Sequence, residues 1–125
     1  MTPLVFVVGA LAGGVGAALR LLLDGLIRAR VRTSVPMGTM VINLSGSLLF
    51  GLITGLTLNN LLPEQWHLVL GGGLMGGFTT FSTASFETVR LTQDRRYLAA
   101  LAHGIGMLVL ACALAGLGIW IGFQM

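Results

Sequence analysis

A chain of 125 residues that is 55% hydrophobic and only 9% charged lies far from a soluble domain, in which about a quarter of residues carry charge. Its net charge of +3 comes from seven arginines with no lysine. A soluble basic protein would suggest nucleic acid, but these arginines stand beside apolar runs, which points to membrane orientation and no nucleic-acid partner.

A membrane-spanning helix needs about 20 apolar residues. Four spans fit with short connections: Leu4–Leu23, Pro36–Leu58, His67–Val89 and Tyr97–Phe123. This predicts one all-α membrane domain over residues 1–125. Met1-Thr2-Pro3 lacks the basic region of a cleavable signal, so the first apolar stretch is expected to be retained. Cys112 is the single cysteine; it reads as a small apolar residue of the fourth span and admits no intrachain disulfide.

The first span carries Gly9 and Gly13 in GxxxG spacing, repeated by Gly51 and Gly55 in the second span and by Gly118 and Gly122 in the fourth, a spacing that lets helix backbones approach closely. Arg20 lies near its end with Asp24 one turn on, a spacing that allows an i, i+4 pair. Arg20 either snorkels to the interface or attracts anions into a vestibule. Arg28, Arg30 and Arg32 follow in a polar loop, and Pro36 suits the first turn of the next helix.

In the second span Thr39, Asn43, Ser47, Gly51 and Gly55 recur every four residues. They share one helix face, so Asn43 is expected to face protein or a pore, as interhelical glue or as an ion contact. Asn59, Asn60 and Pro63 mark a loop, with Trp66 as an interfacial anchor and His67 near the same interface.

The third span holds the most unusual stretch, GGGLMGGFTTFSTASFE from Gly71 to Glu87. Its glycines each weaken a helix by roughly 1 kcal/mol relative to alanine. Thr79, Thr80, Ser82, Thr83 and Ser85 bring five hydroxyls into seven residues, with Phe78, Phe81 and Phe86 among them. Freed backbone at membrane depth is tolerated where it lines a wet cavity or is buried in protein, so a helix broken near the middle of this span is an ion-site candidate. The alternative is a packing helix whose hydroxyls bond back to their own carbonyls. Glu87 and Arg90 are spaced to pair within a turn. The fourth span is apolar apart from His103, an ionisable group of the kind that is often functional in a membrane but that also serves as a neutral, hydrogen-bonded core residue.

Four spans place both termini and the middle loop on one side, with no arginine. The other side holds Arg28, Arg30, Arg32, Arg90, Arg95 and Arg96. The positive-inside rule then makes the first and third loops cytoplasmic.

Taken together, GGVGAALR (Gly13–Arg20), PMGTMVINLSGSLLFG (Pro36–Gly51) and GGFTTFSTASFE (Gly76–Glu87) resemble the CrcB/Fluc family of small fluoride channels across nearly the whole chain. The resemblance implies an antiparallel dimer in the plasma (inner) membrane of a prokaryote, with two fluoride pores. It also implies a structural Na⁺ at the dimer centre, held by the backbone carbonyls of Gly76 and Thr79. Asn43 and Phe81, with Ser82 and Thr83 as hydroxyl donors, are the implied pore residues. Arg20 would lie near the vestibule, and His103 stands where the family often places a polar aromatic of the pore lining. Fluoride is small and tightly hydrated, so a pore must replace its water with donors; an Asn amide and Ser/Thr hydroxyls can donate, and a Phe ring edge is positive.

The chain departs from the family pattern in three places. Ala84 stands where a second pore phenylalanine is usual, the fourth span lacks the customary hydroxyls, and the arginine bias points to one fixed orientation. Alongside a homodimer this leaves one half of a heterodimeric channel with an altered pore, or a structural subunit. A small proton-coupled multidrug exporter needs a carboxylate in the membrane interior, and only Asp24 and Glu87, at span edges, are available. There is no phosphate-binding loop and no nucleophile–base pair or metal cluster for an enzyme.

Overall fold

Thr2 starts the first helix by accepting a hydrogen bond on its hydroxyl from the Val5 N–H at 3.2 Å, and Pro3, which has no N–H to satisfy, occupies the first turn. In the computed structural model, which describes residues 2–31 and 35–125, this helix, α1, runs Pro3–Arg30. It is a turn or more longer than the apolar run alone, because Asp24 and Arg28 pair on its surface at 3.0 Å. Arg32 lies outside the described residues.

Helix α2 spans Met37–Leu58 and stops where Asn60 takes a left-handed backbone, φ 61°, a conformation Asn tolerates. Helix α3 covers residues 64–78. It begins as Glu64–Trp66, winds as a π-helix over His67–Met75, and finishes as Gly76–Phe78. Thr79 and Thr80 are extended, and α4 follows at Phe81–Gln93. Arg95, also left-handed at φ 60°, turns the chain into α5, Tyr97–Gln124, which contains a π-helical turn at Ala102–Gly106. No strand occurs among the described residues. By length and composition α1, α2 and α5 can each cross a membrane. The expected third span is covered by α3 and α4 together.

Lipid is as apolar as leucine, so helices in a membrane are held by close packing and polar contacts rather than by burial from water. Two glycine seams supply the packing here. Gly51 and Gly55 of α2 meet Gly118 and Gly122 of α5: a Cβ on Gly51 would strike the Ala115 carbonyl, and one on Gly118 the Leu48 carbonyl. On the other flank, α1 lies along α3. A Cβ on Gly73 would come 2.5 Å from the Gly9 carbonyl oxygen, and one on Gly77 would strike that of Gly13. All three GxxxG pairs read from the sequence therefore sit in helix contacts. Between the seams lies a small core of Ile42, Met75 and Phe78, flanked by Leu23, Ile53 and Leu74. The outward faces carry Leu, Val, Phe and Trp in large numbers, including Leu4, Leu11, Leu108 and Trp120, as helices facing acyl chains should.

Candidate functional site

Extended backbone between two helices leaves the last carbonyls of α3 and the first N–H groups of α4 without intrahelical partners. The side chains around Thr79 and Thr80 answer most of that demand. The Met75 carbonyl accepts from both the Thr79 N–H and the Thr79 hydroxyl, each at 3.0 Å. Asn43, reaching across from α2, accepts from the Thr80 N–H on Oδ1 and donates from Nδ2 to the Thr80 carbonyl, both at 2.8 Å. The Thr80 hydroxyl caps α4: it accepts from the Thr83 N–H at 3.3 Å and donates to Thr83 Oγ1 at 3.2 Å. Ser82 Oγ lies 3.4 Å from it. Gly46 gives the crossing its closeness, since a Cβ there would strike the Thr79 methyl.

The carbonyls of Gly76 and Thr79 are among those that lose their helical donors here. The N–H groups that would reach the Gly76 and Thr79 oxygens in a continuous helix belong to Thr80 and Thr83. Both are turned to side chains instead.

One cleft reaches this segment, and another opens beside Thr83 in the first turn of α4. An apolar groove of about 830 Å³ is lined by Asn43, Thr79, Thr80, Phe81, Ala84 and Met107, among others. Phe81 stands 85% exposed beside it, so its ring is free to present either face or edge. A second, more polar cleft of about 600 Å³ is lined by Arg28, Thr83, Glu87, Arg90 and Asp94. Thr83 thus links the polar cleft, through Thr80, to Asn43 in the groove.

Charge is organised behind the polar cleft. Arg28 bridges Asp24 at 3.0 Å and Glu87 at 3.5 Å, and Glu87 Oε1 lies 3.4 Å from His103 Nε2, an ion pair when the imidazole is protonated. The two pairings read from sequence spacing are therefore replaced. Asp24 pairs with Arg28, not Arg20, because both lie one turn away and only Arg28 also reaches Glu87. Glu87 turns inward to α1 and α5, away from Arg90. His103 is completely buried, lies in the π-helical turn of α5, and lines neither cleft. Arg20 is half-buried with its Nε unpartnered among the described residues, also outside both cleft walls. His67, expected near the interface, lies 3.0 Å from the Thr54 hydroxyl.

Because Arg28 joins the two carboxylates, Arg28→Gln should lower thermal stability by about 1 kcal/mol. The figure is small because the Arg28 side chain is 62% exposed and exposed pairs are solvent-screened. Thermal unfolding in detergent at low salt and at about 1 M salt tests this, since the gap between wild type and variant should narrow as the Debye length falls.

Asn43, Thr79, Thr80, Phe81, Ser82 and Thr83 are thus brought together, as their clustering in sequence suggested for all but Asn43. Missed by the sequence were the partnership of Asn43 with the Thr80 backbone and the role of Met107, whose sulfur lies 3.8 Å from Asn43 Nδ2. Backbone partners leave no side-chain signal, and an apolar methionine in an apolar helix carries none either.

The chain is similar over nearly its whole length to known proteins. The family model described as CrcB-like protein, Camphor Resistance (CrcB), matches residues 7–119. The chain is 55% identical to the fluoride-specific ion channel FluC 1 of Leifsonia xyli subsp. xyli over 98% of its own length and 89% of that protein. It is 47% identical to FluC 2 of Cutibacterium acnes, over 90% of this chain and 92% of the relative. With FluC 2 of Mycobacterium tuberculosis it shares 39% identity over 97% and 93% of the two chains. These relatives carry the names of channels, not enzymes. With a helical membrane fold and a match from Val7 to Ile119, the chain belongs to the CrcB family.

Proposed function

We propose that this chain is a fluoride channel that lets the anion leave the cell passively. The observation that carries the proposal is the clustering of uncharged donors and an exposed aromatic ring from Thr79 to Thr83, with the apolar groove at Thr79–Thr80 and the polar cleft at Thr83. Asn43 lies in the groove wall, Phe81 stands exposed beside it, and the hydroxyls of Ser82 and Thr83 follow on α4. Donors without a fixed positive charge suit an ion that must be desolvated and then released, since a channel site must bind weakly enough to let go. Hydrogen fluoride crosses bilayers and dissociates inside at neutral pH, leaving the anion trapped; a selective pore lets it out down its electrochemical gradient and so limits its toxicity.

In this reading, residues 64–93 form one span interrupted at Thr79–Thr80, in the plasma membrane of a prokaryote. Two chains pack antiparallel, and the apolar groove with Phe81 faces the partner. The carbonyls of Gly76 and Thr79, whose helical donors are diverted, suit a hard cation and would hold the structural Na⁺, which would supply positive charge at the dimer centre. The arrangement of arginines supports a second reading, one half of a heterodimeric channel. Arg28, Arg30, Arg90, Arg95 and Arg96 all fall at the helix ends joined by the first and third loops, a bias that favours one orientation.

Fluoride efflux from liposomes holding this chain alone, followed with a fluoride electrode, tests the proposal. Rapid efflux with chloride retained, lost in Phe81→Ala, is the expected result. No efflux from well-folded dimeric protein would remove the homodimeric channel, and efflux restored by an oppositely oriented partner chain would establish the heterodimer.

A further inference from the structure

An asparagine amide has two hydrogens, and in this fold they are not equivalent. One is held by the Thr80 carbonyl while the Thr80 N–H holds Oδ1, both bonds at 2.8 Å. Two bonds to a single residue fix the plane of the amide. The second hydrogen is directed to Met107 Sδ, with an N···S distance of 3.8 Å. A thioether is a weak, uncharged acceptor. Asn43 and Met107 both line the apolar groove, and Met107 is otherwise buried, 7% exposed. The groove wall thus holds an oriented N–H donor whose present acceptor is the poorest available in a protein.

We propose that Met107 is a specificity-determining residue: its sulfur holds the second Asn43 N–H until an anion takes it, while the Thr80-bound N–H stays in place. This inference rests on the fluoride reading of the site. A hydrogen bond to a charged acceptor is roughly twice as strong as a neutral one, so a small hard anion displaces the sulfur readily. Methionine is unbranched and has three rotatable bonds, so its end can withdraw by the small amount a small ion needs. A larger anion must push the buried side chain further into α5 and gains a longer, weaker bond in return. The clamp on Thr80 matters to the same end, because it keeps the donor aimed at the groove through each exchange.

The two hydrogens give separate nuclear magnetic resonance signals, which makes the proposal directly readable. Full-length protein in lipid nanodiscs, labelled with ¹⁵N only at asparagine, contains three carboxamides, those of Asn43, Asn59 and Asn60. The Asn43 pair is identified by its disappearance in Asn43→Asp. On titration with sodium fluoride, one Asn43 hydrogen should shift and saturate while the other holds its position, and sodium chloride at equal concentration should move neither. In Met107→Leu, which removes the competing acceptor at similar volume, the fluoride midpoint should fall about twofold, the worth of a weak neutral hydrogen bond. Both hydrogens moving together, neither moving, chloride acting like fluoride, or an unchanged or raised midpoint in Met107→Leu would overturn the proposal. Met107→Ile, a second sulfur-free side chain of similar size, should lower the midpoint in the same way and decides the matter if Met107→Leu fails to fold. Failure here in a chain whose liposomes pass fluoride overturns this inference alone; a chain that passes none overturns the channel reading with it.

Discussion

Asn43→Ala is expected to abolish fluoride efflux and to destabilise the folded chain by about 2–6 kcal/mol. The estimate follows from two partly buried backbone groups, the N–H and carbonyl of Thr80, each losing its bond to Asn43; an unsatisfied buried group costs about 1–3 kcal/mol. Against a total stability of about 5–15 kcal/mol that is a severe loss. The segment has few other partners to turn to. The neighbouring Met75 carbonyl already accepts twice, and the Thr80 hydroxyl is occupied at Thr83. Unfolding in detergent against a denaturant, with efflux measured on whatever protein folds, checks both parts. Native stability in Asn43→Ala would mean that Thr80 finds other partners and that the reciprocal bonds are incidental.

The second large effect is expected in the seam between α2 and α5. Gly51→Ala should destabilise by about 1–3 kcal/mol, the usual cost of overpacking, even though alanine is the better helix former by about 1 kcal/mol. The new methyl would meet the carbonyl, Cα and carbonyl carbon of Ala115, which are backbone atoms and cannot swing aside. Gly116→Ala, one residue along on α5, is the opposite case. Nothing lies within 4 Å of a Cβ there, so the propensity gain should appear undiminished, raising stability by up to about 1 kcal/mol. Thermal unfolding of the two variants beside wild type reads the contrast. Equal effects of the same sign would mean that the seam is looser than its geometry implies.

The seams also mark where sequence reading was sufficient and where it was not. GxxxG spacing identified Gly9–Gly13, Gly51–Gly55 and Gly118–Gly122 as packing surfaces, because small residues one turn apart leave a visible trace. Which seam meets which was not legible: Gly51 and Gly55 face Gly118 and Gly122, whereas Gly9 and Gly13 face Gly73 and Gly77. The density of glycine and hydroxyls from Gly71 to Ser85 drew attention to the stretch that contains the extended Thr79–Thr80 backbone. The hydrogen bonds that shape it were hidden, since the partner of Asn43 is a main chain that every residue possesses. Local spacing also misled at Asp24, which has an arginine four residues away in either direction. Only the fold, by bringing Glu87 against α1, decides for Arg28. The π-helical turns at His67–Met75 and Ala102–Gly106 depend on a hydrogen-bond shift of one residue, and no residue type announces that.

The succession of Asp24, Arg28, Glu87 and His103 has a consequence for how the chain is made. Asp24 and Arg28 lie one turn apart on α1, so that pair is complete as soon as the first helix forms, with no help from the rest of the protein. An unpaired ionisable residue entering a membrane costs several kcal/mol, and Asp24 enters already paired. Glu87 then emerges with a guanidinium in place to receive it, and His103 arrives last, closing against a carboxylate that is already held. Asp24 is paired within its own helix and Glu87 meets an arginine synthesised earlier, so neither carboxylate has to wait in the bilayer for a partner on a later helix.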